Sequence, residues 1–248
     1  MSYPAMVLSA GRGQRMQPLT DRCPKPLLPV GRHTLLGHTL RALAGAGVTQ
    51  ATVNTAWLGE QIEAAFAADQ PASATCPRLH YSREGQRFGH ALETAGGIAH
   101  ALPHLGEVFW VAAADALAPD FAFDPSPAQA VCTGEHLAHV WLVPNPPHQP
   151  HGDFALGPNG LLSNDPSWPR HTYATFGLFR RDLFLSPWCP IAPGNPHGEV
   201  APLAPLLRLA IAQQRVGATL YTGTWMDVGT PERLAEARRL FTTPTNAA

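Results

Sequence analysis

Ala5-Met6-Val7-Leu8-Ser9-Ala10-Gly11-Arg12-Gly13-Gln14-Arg15-Met16 opens the chain with an apolar run that breaks at a glycine. Such a run reads as a buried strand entering a loop. A dinucleotide-binding turn needs glycine at the third position of G-x-G-x-x-G, where Met16 stands, and no G-x-x-x-x-G-K-[ST] loop occurs anywhere. What is left is a glycine loop able to bring bare backbone N–H groups to a phosphate. Its surroundings agree: between residues 1 and 32, Arg12, Arg15, Arg22, Lys25 and Arg32 face a single acidic residue, Asp21. A local anion site therefore follows the first strand, inside a polar loop running from residue 11 to 29.

Outward from that loop, residues 35–46 have helical spacing, with Leu36, Leu40 and Leu43 on one face. Residues 51–54 and 79–81 read as strands, 59–68 as an amphipathic helix, and 94–102 as a helix stopped by Pro103. Residues 108–114 are the most apolar strand, and Phe109, Trp110 and Trp141 are expected in the core. Strands alternating with helices in this way predict βαβ units and a mainly parallel sheet. The middle of the chain differs. A proline-rich loop at 144–150 precedes β segments at 152–156 and 173–179, which suit an antiparallel pair. A helix follows over 199–214, with Pro202 and Pro205 in its first turns, then a strand at 218–221. A last helix spans 231–240, with Thr230 as its N-cap. The expected organisation is one domain over 1–241, in two halves at 1–120 and 121–241, with a frayed tail at 242–248.

The 248 residues are 45% hydrophobic and 14% charged, which excludes a disordered chain. Seventeen basic and 18 acidic residues give a net charge of -1, which argues against nucleic acid and membrane surfaces as partners. Lys25 is the only lysine. Four scattered cysteines without a C-x-x-C pair, and no signal-like or spanning apolar run, predict a reduced cytoplasmic protein. His148 and His151 lie in the proline-rich loop, and Pro103 separates His100 from His104, so structural or surface roles are expected for all four.

Leu8 to Thr20, followed by Pro24-Lys25-Pro26-Leu27-Leu28-Pro29-Val30, resembles the signature of the sugar-1-phosphate nucleotidyltransferases. Glu93-Thr94-Ala95-Gly96-Gly97-Ile98, Asp115 at the end of its apolar strand, and Trp225-Met226-Asp227-Val228-Gly229-Thr230 resemble it further and in the same order. Within the family, uridylyl-transferring members are resembled through Asn54-Thr55-Ala56-Trp57-Leu58-Gly59, Tyr81-Ser82-Arg83-Glu84-Gly85 and Gly152-Asp153-Phe154. The resemblance implies an α/β fold: a Rossmann-like, mainly parallel sheet flanked by helices with a small β insertion, of the nucleotide-diphospho-sugar transferase type. It also implies that 1–120 is a nucleotide-binding half and 121–241 a sugar-binding half. The sequence shows no hexapeptide β-helix repeat, and a single-domain monomer is the expectation.

The activity so implied is Mg²⁺-dependent transfer from a nucleoside triphosphate, UTP favoured, to a sugar 1-phosphate, N-acetylmuramate 1-phosphate favoured, with release of pyrophosphate. By the same resemblance, Ala10, Gly11 and Gly13 cradle the triphosphate, and Arg15 and Lys25 are the catalytic cations. Asn54, Glu84, Gly85, Leu92 and Thr94 bind the nucleotide. Asp115, Asp153 and Glu199 bind the sugar phosphate, and Asp115 and Asp227 hold Mg²⁺ where neighbouring parallel strands end. Guanylyl, thymidylyl and cytidylyl transfer stay open as alternatives, as does a non-catalytic nucleotide-sugar binding protein. Two departures bear on specificity: Ala114 stands where relatives carry glycine, and residues 86–91 form a longer segment.

Overall fold

A computed structural model describes residues 2–67 and 71–242. The first half contains β1 (Ala5–Leu8), β2 (Pro29–Val30), β3 (His33–Thr34), α1 (Leu35–Gly45), β4 (Gln50–Thr55) and α2 (Gly59–Ala65). It continues through β5 (Arg78–Arg83), α3 (Glu84–Phe88), α4 (Glu93–Ala101), β6 (Val108–Ala113) and β7 (Ala116–Leu117). The second half adds α5 (Gln129–Cys132), β8 (Ala138–Val143), β9 (Phe154–Leu156), β10 (Leu162–Ser163) and β11 (Arg170–Arg180). It closes with α6 (Leu203–Ala212), β12 (Val216–Leu220), β13 (Met226–Asp227) and α7 (Pro231–Thr242). The expected tail lies outside the described residues except for Thr242, which ends α7.

β1 pairs in parallel with both β4 and β6, β4 with β5, and β8 with β12. β11 runs antiparallel between β6 and β8 and continues against β9, so a mainly parallel sheet carries one reversed central strand and a small antiparallel extension. Strands covered on both faces need apolar residues at every position, and β6 and β8 are buried throughout. Side chains alternate between the faces. Met6 and Phe109 pack with Ile98 of α4 and Leu207 of α6, whereas Val7 and Trp110 pack with Leu36 and Leu40 of α1 and with Trp141. Phe109, Trp110 and Trp141 are buried as expected.

Three local differences from the sequence expectations have physical causes. The helix expected from 199 begins at Leu203, because Pro202 takes the cap position in extended conformation. Residues upstream instead pair with the start of α4: the amides of Ala95 and Gly96 donate to Ala201 O, and Ala201 N donates to Leu92 O. The helix expected over 59–68 ends at Ala65. β8, for which the periodicity gave no expectation, lies beside β11. The register of β11 on β8 shifts between Tyr173 and Gly177, and Thr175 inside that shift has φ of 61°. No helix among the described residues is long and apolar enough to cross a membrane.

Candidate active site

The C-terminal ends of β1, β4, β5 and β6 open onto one cleft of about 640 Å³. Open α/β sheets place their ligands at this end of the strands. Ala10, Gly11, Gly13, Arg15, Lys25, Asn54, Glu84, Thr94 and Asp115 line it, which brings most of the expected site residues together.

The loop after β1 is built from the residue upward. Gly13 takes φ of 64°, and a Cβ there would meet Thr20 Cγ2 at 3.1 Å and Lys25 Cβ at 3.2 Å. Glycine thus lets the loop lie directly on Lys25, and Thr20 Oγ1 fixes it by donating to Gly13 O at 2.8 Å. Arg12 is spent on holding the loop: it donates to Thr20 O, pairs with Asp21 and stacks over Trp57 at 3.8 Å. Arg15 is exposed and, among the described residues, pairs with no carboxylate. No protein acceptor among those residues takes the amides of Gly11, Arg12 and Gly13.

Lys25 donates to Asp115 Oδ2 in a partly buried ion pair. Asp227 reaches the same place by a route other than the meeting of parallel strand ends expected for the two aspartates. β13 pairs antiparallel with β7, setting Asp227 opposite Ala116, and Val228 N donates to Asp115 O at 2.8 Å. A two-strand ribbon, not the main sheet, sets the backbones of the two aspartate segments side by side. Arg233 Nη1 donates to Asp227 Oδ2 at 2.6 Å and to His148 Nε2 at 2.5 Å. Arginine has no acceptor, so His148 Nε2 must accept and has no proton for Asp227 Oδ1, 2.9 Å away. Oδ1 is consequently a buried carboxylate oxygen without a hydrogen-bond donor.

An orphaned carboxylate oxygen of this kind suits an oxygen-seeking divalent cation. No group of three or more His, Cys, Asp or Glu side chains gathers among the described residues. A metal here would therefore need ligand oxygens from its substrate. Arg233 and His148 are the residues at this site that sequence reasoning missed. Arg233 lies three residues after the end of the Trp225 to Thr230 motif, which is the signal that could have found it.

Behind the cleft, Asn54 Oδ1 accepts from Ser9 N at 2.7 Å, and Asn54 Nδ2 donates to Glu84 Oε1 at 2.7 Å. Leu92 N donates to Glu84 Oε2 at 2.8 Å. Burial pushes the Glu84 carboxyl above the ordinary glutamate range, against the lowering effect of those two hydrogen bonds. Both its oxygens are engaged, so this carboxylate ties β1, β4 and α4 into one wall. Gly85 lies against the backbone of Ala56, where a Cβ would come within 2.5 Å of Ala56 O. Of the 86–91 segment, residues 86–88 complete α3, which Gly89 ends with φ of 81°.

Leu8, Thr94 and Thr175 line both this cleft and a second one of about 370 Å³ that reaches β9, β11 and α6. Asp153 lies in it, holding Gln149 Nε2 at 3.0 Å and Tyr173 N at 2.9 Å on its two oxygens. Glu199 lines neither cavity. Its backbone is held at both ends by Asn195, and its side chain is exposed.

The family model for nucleotidyl transferases matches residues 4–243, and the chain belongs to that family. An N-acetylmuramate alpha-1-phosphate uridylyltransferase of Neisseria meningitidis is 44% identical over 239 residues, covering 95% of this chain and 97% of the relative. A Caulobacter vibrioides protein of the same name is 34% identical over 250 residues, with 95% and 96% covered. Among solved structures, an apo UDP-glucose pyrophosphorylase superposes with a TM-score of 0.72 at 17% identity, covering 97% of this chain and 98% of that one. These likenesses establish the expected α/β fold.

Proposed function

We propose that this enzyme transfers a uridylyl group from UTP to N-acetylmuramate α-1-phosphate, releasing pyrophosphate, as a single domain over 1–241 with a nucleotide half and a sugar half. The observation that carries it is the joining of two cavities. A cationic, amide-lined cleft around Lys25 runs into a pocket holding Asp153, and two relatives matched over nearly their whole length share this activity by name.

The nucleophile arrives prepared, because a sugar phosphate has its second pKa near ~6 and is largely dianionic at neutral pH. Its oxygen forms a bond to the α-phosphorus as the bond to pyrophosphate breaks, and no proton has to be removed. The protein then has only to position the reactants and neutralise charge. Arg15 and the amides of Gly11 and Gly13 take the leaving pyrophosphate. Lys25 turns from Asp115 to the α-phosphate, where a compact ammonium fits between attacking and leaving oxygens. Asp115 and Asp227 would hold Mg²⁺, which when bound supplies charge neutralisation at the phosphate oxygens. Glu84, Asn54, Gly85, Leu92 and Thr94 shape the base pocket, and Asp153 meets the acceptor sugar. The four free thiols suit work in a reducing cytoplasm, and a monomer suffices because one chain supplies every group named.

Pyrophosphate release across a matrix of nucleotides and sugar phosphates tests this reading. UTP with N-acetylmuramate α-1-phosphate and Mg²⁺ should be fastest, and a chelator should stop it. Fastest release from GTP and mannose 1-phosphate would overturn the uridylyl assignment, and no release with any pair would overturn the enzyme.

A further inference from the structure

The second cavity has a charge pattern that transfer to a neutral sugar does not require. Its lining includes the apolar side chains Phe154, Leu203 and Leu207. Two arginines, Arg170 and Arg208, line it as well. Asp153, the one carboxylate in the lining, has both oxygens engaged. Arg170 uses Nη2 on the backbone oxygens of Asp153, at 2.6 Å, and Gly152, at 3.4 Å. Arg208 pairs with no carboxylate among the described residues. No acidic residue in the first turn of α6 offsets it.

Arg208 stands four residues after Ala204 on α6, so the two share one helix face, and both line the pocket. Leu207, beside it, is buried in the core, which fixes the helix rotation and keeps position 208 at the rim. The phosphate end of a sugar phosphate belongs in the first cavity with Lys25 and Arg15. The second therefore holds the far end of the acceptor, in a pocket lined by two arginines and by apolar side chains.

We infer that Arg208, supported by Arg170, reads a carboxylate on the acceptor sugar and so selects an acidic sugar phosphate over its neutral counterpart. A planar fork facing an unpaired carboxylate forms a charge-assisted, bidentate contact that a hydroxyl cannot replace. The carboxyl-bearing side arm of N-acetylmuramate is the matching chemistry, while N-acetylglucosamine 1-phosphate has the same ring and phosphate without the acid. This inference rests on the proposed reaction and names the acceptor feature that the site recognises.

The test measures kcat/KM and calorimetric binding of both sugar phosphates with wild type, R208Q and R208K. R208Q should lower kcat/KM for N-acetylmuramate α-1-phosphate by roughly 10- to 100-fold through KM, the scale of one lost charge-assisted hydrogen bond. KM for UTP and turnover of N-acetylglucosamine 1-phosphate should not change, and R208K should recover part of the loss. Equal losses on both sugars would assign Arg208 a structural role and overturn the inference. So would wild type binding the acidic sugar no more tightly than the neutral one, a result readable even if no pyrophosphate is released. Absent turnover with intact discrimination in binding would instead overturn the proposed reaction and leave the inference standing.

Discussion

Lys25 is the one lysine among 17 basic residues, and its ammonium lies on Asp115 under a loop that only glycine at position 13 can close. Arginine would put a wide, planar group where a compact ammonium now meets Asp115. K25A should lower turnover by on the order of 10²–10³, the scale of losing one preorganised charge donor, with the melting temperature barely altered. K25R should be impaired as well. Turnover like wild type in either variant would remove Lys25 from the chemistry. This residue was legible in the sequence because its motif is local. Arg233 and His148 were not, because their meaning lies in a meeting with Asp227 that neither segment announces alone.

At the scale of elements, α4 does more than cover the sheet. A Cβ at Gly96 would collide with Glu199 O and approach Ala201 N to 3.2 Å, and one at Gly97 would come within 2.6 Å of Glu84 Oε1. The two glycines let the 195–201 segment and the Glu84 network close on the helix from two sides. Asn195, fully buried, fastens that segment through Gly96 O at 3.1 Å and Glu199 O at 2.8 Å. Backbone cannot swing aside as a flexible side chain can, so G96A should destabilise by about 1–3 kcal/mol in urea unfolding. An unchanged midpoint would mean that the segment yields freely. The sequence placed these glycines in a helix but gave no sign of what packs on them. That depended on residues 199–201 being a strap instead of helix, a choice made by Pro202 at the cap and by the unpaired amides of α4.

For the whole molecule, the net charge of -1 conceals a separation. Each of the two aspartates is neutralised by a cation, Lys25 on Asp115 and Arg233 on Asp227, while Arg15 at the cleft pairs with no carboxylate among the described residues. Gly229 sits between two guanidiniums: a Cβ there would collide with Arg233 Nη2 and lie 3.2 Å from Arg15 Nη2. Like charges gathered in this way suit a polyanionic ligand. UTP with Mg²⁺ at about 100 times its Kd should add about 2.7 kcal/mol of stability. In a chain of this size that raises Tm by roughly 5–10 °C. The rise should shrink sharply when a chelator is added, and equal rises with and without Mg²⁺ would contradict a metal-assisted triphosphate site.

The sequence alone determined the strand and glycine loop, the basic cluster after it, the βαβ rhythm of the first half and the family resemblance. All of these are short-range patterns: periodicity, loop chemistry and residues bonded to near neighbours. Only the tertiary structure decided that β11 runs reversed through the sheet, that Asp227 arrives on a separate ribbon, and that Arg208 faces the second cavity. Those outcomes depend on which strands pair and how helices lie across them. That is settled by burying both faces of the sheet at once, and no single segment carries the information.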